Sequence, residues 1–211
     1  MSNTERKVFI APGNSLSSLD IIFKEFEKGS SVFLLPTKIT EKEFAELLQE
    51  FSADDFYASS KDFKHFSSFD LPSSINLKKI PSQENHDYLN CDIHPKAKVI
   101  FLTSGSSGKP KGAVHSVKRL LSHAVCNNAQ MDFRASSKRF INLPLFYIPG
   151  LAMALRSYVS KTECLISSSY SPKEFVPELY QSKASHLCVV PSMLDEFIHT
   201  WDKDSLSLIH I

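Results

Sequence analysis

The order of apolar segments predicts an α/β protein: mainly parallel sheet layers with helices on both faces. Three observations carry this expectation. Short apolar runs alternate with segments of three-and-four helical spacing along most of the chain. The runs are solidly apolar, as strands covered on both faces require, and helix start and stop signals fall between them. The 211 residues, 42% apolar and 22% charged, are ample for a buried core. With 24 basic against 23 acidic side chains the net charge is +1, which argues against action through an overall basic surface, as in a non-specific nucleic-acid binder. No run reaches the ~18 to 20 apolar residues of a membrane span, and the polar N-terminus does not read as a signal peptide, so a cytoplasmic location is expected. Cys91, Cys126, Cys164 and Cys188 form no C-x-x-C pair and read as small buried thiols.

Val8 to Ile10 reads as a strand, and Pro12-Gly13-Asn14 as the turn after it. Leu16, Leu19, Ile22, Phe23 and Phe26 then give a helical face that stops at Gly29. Ser31 to Leu35 is the next strand. Thr40-Glu41-Lys42-Glu43 has the T-x-x-E form of a capping box, opening a helix that buries Phe44, Leu47, Leu48 and Phe51. Phe56 to Ala58 closes this first portion, residues 1–58. Residues 59–92 lose periodicity and read as a long surface connection. Residues 93–204 form the second α/β portion: strands at Val99–Leu102, Phe140–Leu143, Cys164–Ile166 and Leu187–Val190, and helices at Val117–Ala129, Gly150–Val159, from Ser171-Pro172-x-Glu174 onward, and at Met193–Trp201. A short tail, 205–211, ends the chain.

The most informative stretch is Thr103-Ser104-Gly105-Ser106-Ser107-Gly108-Lys109-Pro110-Lys111-Gly112, which follows the strand at Val99–Leu102 directly. Gly105, Gly108 and Gly112 permit backbone angles that let successive N–H groups turn toward one anion. Thr103, Ser104, Ser106 and Ser107 add hydroxyl donors, Lys111 adds a mobile positive charge, and Pro110 restrains Lys109. Together these parts read as a polyphosphate cradle. A Walker A loop is excluded because Pro110 stands where its second glycine would be needed. A flexible Ser/Gly connector would share much of the composition, but charge placement favours the cradle: Ile93 to Met131 contains no Asp or Glu while holding Lys96, Lys98, Lys109, Lys111, Lys118 and Arg119. The eight histidines show no metal-ligand spacing, so no protein-bound metal is assigned; His115 and His123 read as helix-face or polar-rim residues.

This ten-residue stretch resembles the phosphate-binding loop of the adenylate-forming acyl-CoA synthetase superfamily. Leu143-Pro144-Leu145-Phe146-Tyr147-Ile148-Pro149-Gly150-Leu151 is similar to the aromatic motif that follows it there, and the continuation to Arg156-Ser157 resembles above all the o-succinylbenzoate:CoA ligases of menaquinone synthesis. Ser185 to Leu194, with Val190-Pro191, resembles a turn carrying part of the acyl pocket, and Val8 to Asn14 is similar to the first strand. The resemblance implies a two-step reaction: a carboxylate attacks ATP to give an acyl-adenylate and pyrophosphate, and coenzyme A displaces AMP to give a thioester. It implies Mg²⁺ bridging the phosphates. ATP would be bound by Thr103, Ser104, Gly105, Ser106, Ser107, Gly108, Lys109, Lys111 and Gly112, with Lys111 and Tyr147 in catalytic roles. Phe146, Tyr147, Gly150, Arg156 and Pro191 would line the substrate pocket. Tyr147 departs from the usual His of the motif and cannot carry positive charge near neutral pH.

The family's adenine and ribose motifs, its hinge and its C-terminal lid are not found after Leu194, so the expectation is an N-terminal portion only. Two readings follow: an acid:CoA ligase, of o-succinylbenzoate type or for another aromatic or fatty acid, and a catalytically silent nucleotide-binding or interaction remnant. Partners expected on the first reading are the carboxylate, ATP and CoA, with a second chain supplying the missing part, or a homo-oligomer; no nucleic acid and no membrane span are expected.

Overall fold

The computed structural model describes residues 5–82, 85–104, 110–131 and 133–200. Its first sheet is built from β1 (Lys7–Ala11), β2 (Ser31–Leu34), β3 (Asp55–Ala58), β4 (Asn76–Lys79), β5 (Lys98–Ser104) and β6 (Pro110–Ser116), in the order β4-β3-β1-β2-β5-β6. All neighbours pair parallel except β5 and β6, which form an antiparallel hairpin. The second sheet has three parallel strands in the order β8-β7-β9: β7 (Arg139–Ile141), β8 (Cys164–Ile166) and β9 (His186–Leu187). Helices α1 (Leu16–Glu27), α2 (Glu41–Glu50), α3 (Phe63–Ser67), α4 (Val117–Gln130), α5 (Ile148–Ser160), α6 (Pro172–Ser182) and α7 (Pro191–Thr200) join them. Among the described residues no helix is long and apolar enough to cross a membrane.

The solidly apolar strands are explained by two cores. Successive strand residues point to opposite faces: Val8 and Ile10 of β1 join Leu19, Ile22, Phe23 and Phe26 of α1 on one side, while Phe9 and Ala11 join Phe44 and Leu47 of α2 and Phe66 of α3 on the other. The first core continues through α4 and α5 to Ile141 of β7 and Cys164 of β8, so one helix layer is shared by both sheets. Phe140, on the opposite face of β7, packs with Phe175 of α6.

Local signals act as the residue types dictate. Ser15 caps α1 by accepting from the Ser18 N–H at 3.2 Å. In α2 the Glu43 N–H donates to Thr40 Oγ1 at 3.2 Å and the Thr40 N–H to Glu43 Oε2 at 2.8 Å, completing the capping box. Gly29 ends the α1 turn with φ +77°, where a side chain would be strained.

Four expectations are corrected. The connection 59–92 contains α3 and the edge strand β4, which has one apolar residue, Leu77, and is held by its register on β3. The stretch before α4 is a strand, β6, and this places His115 on a sheet edge. The strand expected at Leu187–Val190 is β9, shifted to His186–Leu187. Cys126 is exposed and Cys188 only half-buried, whereas Cys91 and Cys164 are buried; burial pushes both of those thiols up to about 11. Trp201 and the tail 205–211 lie outside the described residues.

An ionic cluster fastens the lower end of the first sheet. Arg6 donates from Nε to Glu25 Oε2 at 3.1 Å and from Nη2 to Asp55, Lys28 Nζ and Ser30 Oγ each reach Glu25 at 2.7 Å, and Lys78 Nζ lies 2.6 Å from Asp55. Burial alone would raise both carboxyl groups, but these donors outweigh it and hold Glu25 and Asp55 below the ordinary carboxylate range. A lowered folded-state pKa means that the stabilisation is present above the ordinary carboxylate range and is lost as the pH falls through the folded values. We expect the urea midpoint of the wild-type chain to be flat near neutrality and to fall below about pH 4. Arg6→Met should cost about 1–3 kcal/mol at pH 7, a value discounted for the partial exposure of Arg6, and should flatten the acid limb.

Candidate nucleotide and acyl site

In sequence β1 is followed by α1 toward β2, while β3 is followed by α3 toward β4 on the other side of β1. The strand order therefore reverses between β1 and β3, and ligands in open α/β sheets bind at the carboxyl ends of strands at such a point. The turn after β1 lies there: a Cβ on Gly13 would come 3.0 Å from Ser59 Cβ, just beyond β3. Because β1, β2 and β5 are parallel, the Ser104 end of β5 faces the same way.

The second sheet contributes its own loop at this end. Asn14 Nδ2 donates to the Leu143 carbonyl at 3.1 Å, and the Leu145 N–H donates to Asn14 Oδ1 at 3.1 Å. One amide side chain thus brackets Pro144 and holds the turn after β7 against the turn after β1. The turn closes with the Tyr147 N–H donating to the Pro144 carbonyl at 3.0 Å, and α5 begins immediately, with Pro149 in its first turn. Gly150 lies beneath: a Cβ there would come 2.2 Å from the Pro144 oxygen, so only glycine fits.

The expected site residues fall into distinct positions. Ser104 pairs with Pro110 and Thr103 with Lys111 across the β5–β6 hairpin, and Thr103 Oγ1 donates to the Lys111 carbonyl at 3.4 Å. Thr103 and Lys111 are exposed. Gly112 stands opposite Leu102, where a Cβ would approach Ile100 Cγ2 to 2.7 Å. Gly105, Ser106, Ser107, Gly108 and Lys109 lie outside the described residues. Pro110 is the first residue of an edge strand, a place where its missing N–H is tolerated. Phe146 belongs to the main core, whereas Tyr147 remains 49% exposed, its ring 4.6 Å from that of Phe146. Pro191 opens α7 and is exposed.

Arg156, on α5, is half-buried and pairs with no described acid, Glu163 included; Nη1 approaches Met153 Sδ at 3.7 Å and Nε is buried without a partner. Desolvation lowers its pKa. Beside it sequence reading missed Arg139, which is fully buried. Its guanidinium lies 3.6 Å from the centroid of the Phe133 ring and donates to Asn128 Oδ1, while Asn128 Nδ2 donates to the Arg156 carbonyl at 2.8 Å. Nε and Nη1 of Arg139 are buried without a partner, and burial, then the nearby Arg156 charge, push its pKa down to about 10. Asn142, Asn127 Oδ1 and Ser157 Oγ are likewise buried without partners. The only signal for Arg139 in the sequence is a charge inside an apolar strand. Asn14 stood in view as a turn residue, with nothing to mark its long-range role.

The sequence profile of AMP-binding enzymes matches residues 28–209. The chain belongs to the AMP-binding enzyme family. Among curated relatives, 2-succinylbenzoate--CoA ligase of Bacillus pumilus (strain SAFR-032) is 27% identical over 192 residues, which are 87% of this chain and 38% of that protein. The Enterococcus faecalis (strain ATCC 700802 / V583) ligase of the same name is 22% identical over 96% of this chain and 42% of its own length. The chain thus spans about two-fifths of the curated relatives it matches. Among solved structures, o-succinylbenzoate CoA synthetase from Bacillus subtilis, in complex with its acyl-adenylate intermediate, superposes with a TM-score of 0.73 at 18% identity, covering 92% of this chain and 51% of that one. At that identity the likeness shows the fold: the two sheets and their helix layer are an arrangement the two chains share.

Two substitutions test this geometry. Asn14→Ala should lower stability by about 1–3 kcal/mol, by leaving a carbonyl and an N–H unpaired, and should speed hydrogen exchange at the Leu145 amide. Gly150→Ala should be worse, about 3 kcal/mol or more, because its Cβ meets backbone that cannot yield; a thermal melt within a degree or two of wild type would contradict the clash.

Proposed function

We propose that this chain carries the phosphate-handling and acid-binding part of an ATP-dependent acid:CoA ligase, of the o-succinylbenzoate type. The observation that supports it most is a convergence: β5, which ends at Ser104, and the Asn14-bracketed turn Leu143–Tyr147 lie at the same end of the parallel strands, the turn being held at the reversal point by its contact with the segment after β1. The names of the curated relatives, and a solved relative described as bound to ATP and magnesium ion, support the same reading.

On this reading the loop N–H groups and hydroxyls of Thr103 to Gly112 hold the β- and γ-phosphates, and Lys111 meets the charge that builds on departing pyrophosphate. Lys111 suits that role because it is exposed at the hairpin mouth and free to follow the moving charge. Mg²⁺ bound together with ATP would neutralise part of the same charge. Tyr147, about half exposed, would orient the reacting carboxylate by one neutral hydrogen bond from its hydroxyl. Arg156 takes a carboxylate of the acid: it is desolvated, it has no acidic partner among the described residues, and Arg139 adds like charge beside it. Phe146, Gly150 and Pro191 complete the wall of the acyl pocket. Coenzyme A then displaces AMP, a step to which the parts of the enzyme outside this chain would contribute.

Isotope exchange of pyrophosphate into ATP, run with o-succinylbenzoate and with a panel of aromatic and fatty acids, tests the proposal. Exchange with o-succinylbenzoate is expected, and exchange with a different acid would reassign the substrate. No exchange with any acid would favour the second reading, a catalytically silent nucleotide-binding remnant. Lys111→Ala should lower exchange about a hundredfold with an unchanged melting temperature.

A further inference from the structure

The phosphate loop accounts for only part of the acid-free segment Ile93–Met131. β5 starts at Lys98 and reaches the loop at Ser104, and at about 3.3 Å per residue its two ends are roughly 20 Å apart. Lys96 and Lys98 therefore lie at the far end of the strand from Lys111, as does Ser116 at the end of the antiparallel β6. There the structure contains a cavity of about 570 Å³. Arg6, Lys28, His94, Lys96, Lys98 and Ser116 line it, with Glu5 as the one acid among the described residues there.

The charges here are unevenly matched. Arg6 and Lys28 share Glu25, Arg6 also reaches Asp55, and Lys98 lies 2.8 Å from Glu5, whereas Lys96 has no acidic partner among the described residues. His94 is fixed against the backbone: a Cβ on Gly29 would fall 2.7 Å from its Nδ1, so the glycine lets the ring close down. Its Nδ1 accepts the Lys96 N–H at 3.2 Å, which leaves the proton of the neutral ring on Nε2 and makes that atom a donor. Ser116 is the N-cap of α4 but makes no side-chain cap, so the positive end of a 14-residue helix adds to the field at the rim.

We propose that this cavity is a second anion site, separate from the phosphate loop, for a small polyanion of the diphosphate class. Three ammonium groups, that of Lys28 after α1 and those of Lys96 and Lys98 at the start of β5, together with one histidine donor and a helix N-terminus, exceed what a single monoanion could engage, and the volume is within the range of small-molecule pockets. Glu5 would give up its hold on Lys98 when the ligand enters.

The test is an NMR titration of the ¹⁵N-labelled full chain with inorganic pyrophosphate, and with inorganic phosphate as the second probe. Amides of Gly29, His94, Lys96, Ala97 and Val117 should shift with pyrophosphate, at lower concentration than with phosphate. Lys96→Glu should weaken that response about tenfold or more, while Lys96→Arg retains it and the melting temperatures stay equal. Adenosine diphosphate in place of pyrophosphate separates a nucleotide site from a free diphosphate site: equal or tighter binding assigns the nucleotide, and loss of binding assigns the free anion. No shift at these amides up to about 10 mM pyrophosphate, or an unchanged response in Lys96→Glu, overturns the proposal. Shifts confined to Thr103 and Lys111 would do so while leaving the phosphate-loop reading intact. Shifts at the cavity with none near Lys111 would support this site and count against that loop.

Discussion

Two hydrogen bonds made by the side chain of Asn14 connect the turn after β1 in the first sheet to the turn after β7 in the second. A single planar amide, donor on one side and acceptor on the other, matches the carbonyl of Leu143 and the N–H of Leu145, and only an Asn or Gln can present both. Aspartate would place a second acceptor against the Leu143 carbonyl, and glutamine would push the turn outward by a methylene. Much depends on this bracket: the direction in which α5 leaves the turn, the approach of Gly150 to Pro144, and with α5 the position of Arg156.

The two charge systems of the molecule contrast. At the lower end of the first sheet, Arg6, Lys28 and Lys78 surround Glu25 and Asp55, so desolvation is offset by short ionic contacts. By α5, Arg139 and Arg156 are desolvated with no carboxylate partner among the described residues; the Arg139 guanidinium is held by the Phe133 face and Asn128, whose amide also donates to the Arg156 backbone carbonyl. A stabilising core would not leave buried guanidinium N–H groups unpaired, because each costs on the order of 1–3 kcal/mol. On the proposed function, the carboxylate of the bound acid would supply the opposite charge here.

How far the sequence could be read depended on how local its signals were. The capping box of α2 and the stop at Gly29 depend on neighbours within a few residues and were visible as they stand. The doubly covered strands β1, β2 and β3 were visible because burial on both faces removes polar residues altogether. β4 and β6 were hidden for the converse reason: an edge strand is specified by the strand it pairs with, and Asn-Leu-Lys-Lys or Pro-Lys-Gly-Ala-Val-His-Ser carries no period of its own. At the site, the hairpin motif was legible by resemblance and by its chemistry. Asn14 and Arg139 were not, since each acts through partners more than ten residues away, brought together only by the packing of the two sheets.

The same edge strands have a consequence for how the protein behaves in a crowded solution. An exposed sheet margin is a template on which another chain can add a strand. In the first sheet one margin is β4, which carries Lys78 and Lys79, and the other is β6, which opens with Pro110 and Lys111. Charged side chains and a residue without an N–H are the devices that discourage such addition. The lysine and proline at the start of β6 thus serve the molecule twice: they shape the exit of the hairpin, and they keep its outer rim from seeding aggregation.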